Sequence, residues 1–132
     1  MSSLGPLVPA DESFNHQITD TFATVSQADR SWTEKVYAGV LELDVLLGDV
    51  HSLKEKRSLV RPVVADLRRR FEVAVAEAGH LDLHRRSLIG VSCVGADHDH
   101  VTAVLDRCER FVAARPELEL LSARLRMLGP DD

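Results

Sequence analysis

With 132 residues, 45% of them hydrophobic and 28% charged, the chain has material for one packed domain, which excludes wholesale disorder. The longest apolar runs, such as Val36–Leu41 and Val45–Leu47, fall far short of the roughly 20 residues a membrane span needs. The start lacks the charged-then-apolar pattern of a secretory signal, and two cysteines are too few for a disulfide scaffold, so a cytoplasmic protein with no membrane contact is expected.

The net charge of −5 argues against indiscriminate nucleic-acid binding, yet it is unevenly spread. Seven basic residues lie between His51 and Arg70 against only Glu55 and Asp66, a local +5 that leaves −10 for the rest. Such a window can hold a phosphate backbone at one place while the remainder repels it. A solvated helix face gives the same pattern.

Residues 1–35 hold Pro6, Pro9 and scattered polar residues without a sustained period, and read as a flexible N-terminal extension. A short helix near Ser13–Phe22 would align Phe14, Ile18 and Phe22, and Trp32 stands just before the domain, where it could pack on it. From Val36 the pattern sharpens. Tyr37, Gly39, Leu41, Leu43, Val45 and Leu47 share one parity and Glu42 and Asp44 the other, which predicts a strand with one buried face. Gly48-Asp49 ends it. Ser52-Leu53-Lys54-Glu55 has the form of a capping box, so a helix starts there with Val60, Val63, Val64, Leu67 and Phe71 inward and a kink or restart at Pro62. Glu72–Ala78 reads as a short strand, Gly79–Arg85 as a loop, and Ser87–Val94 as a better strand.

A second helix is expected over Asp99–Ala114, capped by Asp97 or Asp99, with Val101, Val104, Leu105, Cys108, Phe111 and Val112 inward. Leu118–Met127 then alternates as a last strand, with Leu121, Ala123, Leu125 and Met127 inward. The order strand, helix, strand, strand, helix, strand predicts a ferredoxin-like α+β domain over residues 36–128, with a tail at 129–132. Its four-stranded antiparallel sheet would carry both helices on one face and leave the other to water or a partner.

Candidate chemistry is sparse. Asp97-His98-Asp99-His100 and His80-x-Asp82-x-His84 contain metal-ligand types, but alternate loop residues do not converge without further ligands, and no metal or other cofactor is assigned. Cys93 and Cys108 fall on inward positions and read as buried small hydrophobes. There is no nucleophile elbow and no phosphate loop, so a non-enzymatic protein is expected. The open sheet face lacks the aromatics of an RNA-stacking sheet, since Tyr37 has inward parity. Glu42 and Asp44 should instead meet Arg124 and Arg126 across the sheet, or else this face, with Val36, Ala38 and Val40, is a dimer surface. The first helix remains. At 100° per residue, Lys54, Arg57, Arg61 and Arg68 fall within about 60° of one another, beside the free amides of a helix N-terminus.

The segment His51-Ser52-Leu53-Lys54-Glu55-Lys56-Arg57-Ser58 resembles the signature of the YlxP-like family of small bacterial proteins, a domain of unknown function. The likeness continues through Arg68-Arg69-Arg70-Phe71, Val75-Ala76-Glu77, Asp82-Leu83 and Leu88-Ile89-Gly90-Val91. It implies a ferredoxin-like fold. It also implies, by gene neighbourhood alone, a link to translation initiation and ribosome maturation. Family members commonly carry an aromatic where His84 stands and an Asn where Glu72 stands.

The leading expectation is therefore an accessory protein docking on structured RNA, most naturally ribosomal. His51, Ser52, Lys54, Lys56, Arg57, Arg61 and Arg68 would form its anion-binding surface. The alternative is a protein-interaction module or homodimer using a sheet edge or the open face, with no nucleic-acid contact.

Overall fold

Alternation in the first strand organises everything else. In the computed structural model, which describes residues 35–131, strand β1 (Tyr37–Leu47) buries Leu41, Leu43, Val45 and Leu47 on one face and leaves Glu42 and Asp44 half-buried on the other. Helix α1 (Leu53–Phe71), strands β2 (Ala74–Gly79) and β3 (Arg86–Gly95), helix α2 (His98–Ala113) and strand β4 (Leu118–Leu128) complete the chain order. The strands form one antiparallel sheet in the order β2-β3-β1-β4, which is the ferredoxin-like α+β arrangement. The segment holding the Ser13–Phe22 stripe and Trp32 lies outside the described residues.

Both helices lay their apolar stripes on the inner face of this sheet. From α1 come Val60, Val63 and Leu67; from α2 come Val101, Val104, Leu105, Cys108 and Val112. Phe71 and Phe111 meet edge-on at 5.7 Å where the helices converge. Gly39 sits directly beneath α2, where a Cβ would stand 2.4 Å from Leu105 Cδ1. Any side chain there would force Leu105 and Met127 to shift.

Four expectations need correction. First, α1 does not restart at Pro62: it is one helix whose buried side continues from Lys56 and Val60 to Val63 and Leu67. Pro62 is exposed, and the carbonyl it leaves without an amide belongs to the equally exposed Ser58, within reach of water. Second, the strand expected from Glu72 begins at Ala74, because Glu72 is the left-handed cap of α1, with φ 53° and its amide donating to the Arg68 carbonyl. Asn would tolerate that conformation better than Glu does.

Third, Leu121 does not point inward. The β1–β4 register runs Asp44 to Ser122 and then Val45 to Leu120, so Leu121 is the extra residue of a bulge and is exposed. Inward parity belongs to Leu118 and Leu120 before the bulge and to Ala123, Leu125 and Met127 after it. Fourth, Cys93 is only half-buried, whereas Cys108 is fully buried and its thiol is pushed up to about 11, chiefly by desolvation.

Candidate functional site

The start of α1 is fixed by local hydrogen bonds. Ser52, in extended conformation, accepts the Glu55 amide on its hydroxyl at 3.1 Å. Glu55 Oε1 accepts the amide of His51 at 2.7 Å, one residue before the reciprocal partner of a capping box. Asp97 caps α2 in the same way, accepting the His100 amide at 2.9 Å.

This geometry divides the anion-binding candidates into two sets. Lys54, Arg57 and Arg61 are exposed along one flank of α1, and none of them forms an ion pair among the described residues. His51, also exposed, lies 2.9 Å from Asp49, and Ser52 is committed to the cap. Lys56, by contrast, is 1% exposed. Its ammonium lies 2.8 Å from Glu77 Oε2 and donates to the His80 carbonyl at 2.6 Å, while the Ser87 hydroxyl donates to the same Glu77 oxygen at 2.8 Å. Lys56 therefore leaves the candidate surface: it is an internal tie between α1 and the β2–β3 hairpin. A buried ammonium needs such partners, since an unpaired one would be strongly disfavoured.

Arg68 is partly withdrawn as well. Its guanidinium donates to the Val75 carbonyl at 2.5 Å, fastening the C-terminal end of the stripe to β2. Arg69 turns to Asp66 at 2.7 Å, and Arg70 lies over the Phe111 ring at 5.2 Å. Of the seven basic residues in the window, three remain on the outer flank as free cations among the described residues.

The open sheet face is also rearranged relative to expectation. Glu42 does meet the β4 arginines, Arg126 at 2.9 Å and Arg124 at 4.0 Å. Asp44 instead pairs with Arg86 on β3 at 2.7 Å and lies 3.5 Å from His80 Nε2. The Arg86 hydrogen bond holds the Asp44 carboxyl below its ordinary pKa against the opposing effect of burial. At the far end of this face Val36, Val94 and Leu128 are all more than half exposed.

Among the described residues no three His, Cys, Asp or Glu side chains gather to hold a metal ion, and no helix is long and apolar enough to cross a membrane. Arg86 and the Glu77–Lys56 tie were not foreseen from the sequence. Glu77 nevertheless shares β2 parity with Val75, and Lys56 stands at helical spacing from Val60, Val63 and Leu67, so both positions were inward by period.

Residues 38–125 match the family model described as "Protein of unknown function (DUF503)". The chain is also similar to the uncharacterized protein YlxP of Bacillus subtilis (strain 168). The two are 28% identical over 81 residues, spanning 61% of this chain and 88% of the relative.

Proposed function

The chain belongs to the DUF503 family, and within that family we propose that it is a non-enzymatic accessory protein that docks on structured RNA, most naturally ribosomal, through the outer flank of α1. The observation that carries this reading is the trio Lys54, Arg57 and Arg61, three exposed cations without an ion pair among the described residues, on one helix flank of a chain with net charge −5. An acidic protein that spares three cations from pairing keeps a local attraction for phosphate, and the first-turn amides and helix dipole add to it. His51 and Ser52 border the site.

The test is co-sedimentation of the chain with ribosomal particles from a bacterial lysate over a salt series. Three phosphate contacts should give a slope of log affinity against log salt of about −2 to −3. The Arg57→Ala/Arg61→Ala variant should lose about two thirds of that slope. No association at low salt, or an unchanged slope in the variant, would overturn the reading.

A second reading draws on Val36, Val94 and Leu128: a protein-binding module or homodimer acting through the open face. Light scattering that returns a monomer at high concentration would remove its homodimer form.

A further inference from the structure

The two edges of the sheet differ in length and in cover. At β2 the edge is six residues long, and Arg68 already occupies the Val75 carbonyl. At β4 the edge is eleven residues long, and among the described residues no strand pairs with its outer side, only the turn bond of the Leu118 amide to the Arg115 carbonyl touching its first residue. A long uncovered edge is a template for another strand.

Beside that edge runs a groove of about 300 Å³ between α2 and β4. Its floor is apolar, from Leu41, Leu105 and the half-exposed Leu125, and its helical wall carries Asp99, Asp106 and Glu109. Asp106 pairs with Arg110 and Asp99 with His98, while Glu109 has no ion-pair partner among the described residues. The wall keeps a negative balance.

We propose that the outer edge of β4 takes up an extended segment of another protein as a fifth strand, with lysine or arginine at alternate positions reaching the acidic wall of α2. Strand geometry fixes the alternation. Side chains on the helix-side parity of an added strand would continue the row of Ala123, Leu125 and Met127, and would therefore rise beside Asp106 and Glu109. Side chains of the other parity would lie beside Arg124 and Arg126, which share the single carboxylate of Glu42, so those positions favour neutral or acidic residues.

A second copy of this chain fits poorly. Antiparallel pairing of two β4 strands in any in-phase register centred on Arg124, Leu125 or Arg126 sets arginine against arginine on the open face, and brings no cation to the α2 wall. The guest chemistry is basic and alternating, whereas β4 itself is apolar on the parity that matters. This inference stands apart from the phosphate reading, since α1 takes no part in it.

The experiment uses the full chain and a labelled nine-residue peptide alternating lysine with valine and threonine, read by fluorescence anisotropy. Binding is expected, with the same peptide carrying glutamate for lysine at least tenfold weaker. Asp106→Asn/Glu109→Gln, whose folding is checked by circular dichroism, should weaken the lysine peptide about tenfold. Hydrogen exchange should show new protection of β4 amides in the complex, and Arg57→Ala/Arg61→Ala should bind the peptide unchanged. Equal affinity for both peptides, an unaffected Asp106→Asn/Glu109→Gln variant, or β4 amides that stay unprotected in the complex would overturn the proposal. So would β4 amides whose protection grows with protein concentration alone, because a second copy would then cover the edge.

Discussion

Lys56 and Arg57 are adjacent cations in one motif, yet one lies in the core and the other in solvent. A step of 100° along α1 carries the chain from the buried side to the outer flank. On the inside, the ammonium is fixed by Glu77 and the His80 carbonyl, and its role is to hold α1 to the β2–β3 hairpin. On the outside, the guanidinium meets no ion-pair partner among the described residues. A cationic motif is thus two things at once, a structural tie and an exposed charge, and only the helical phase separates them.

The sharpest way to break this comparison is Lys56→Met. Removing one partner of a buried pair leaves the Glu77 carboxylate without its cation and against an apolar thioether, at a cost of about 3 kcal/mol in chemical denaturation. Adding Glu77→Gln should recover most of that loss, since the stranded charge is then gone. The folded fraction should keep the salt slope of wild-type RNA binding, because Lys56 offers no charge to solvent. A lost slope in folded Lys56→Met protein would return Lys56 to the binding surface.

Much of this was legible in the sequence. The element order, the inward stripe of α2 and the Ser52 cap follow from period and capping chemistry alone. Lys56 could have been placed inside, because it repeats with Val60, Val63 and Leu67. Its residue type points the other way, because a lysine is ordinarily solvated and only the helical phase marks this one as inward. The Leu121 bulge was not legible, since one extra leucine after Leu118-Glu119-Leu120 fits either parity, and only pairing with β1 exposes it. Nor was the choice of Arg86 by Asp44, because Arg86 reaches it from β3 while alternation in β4 offered Arg124 and Arg126 as equally good partners.

A smaller effect tests the cap that sets the phase. Ser52→Ala removes the acceptor of the Glu55 amide and should lower stability by about 1 kcal/mol, with Ser52→Asp close to neutral. If Ser52→Ala also weakened RNA binding beyond the loss of folded protein, the serine hydroxyl would have to be a ligand in its own right rather than a cap.

The smallest effect carries the opposite sign. Lys54 stands in the first turn of α1, where the amide ends of the helix already make the surroundings positive, and it has no ion-pair partner among the described residues to offset this. Lys54→Ala should therefore raise stability, by about 0.3 kcal/mol at low ionic strength and by less as salt screens the dipole. The same substitution should weaken RNA binding and reduce its salt slope by about one contact. Stability and binding would then move in opposite directions on one side chain, which is what a cation retained for a ligand predicts and a merely solvated face does not. A Lys54→Ala protein that binds RNA as tightly as wild type would remove that distinction and leave the outer flank of α1 as ordinary surface.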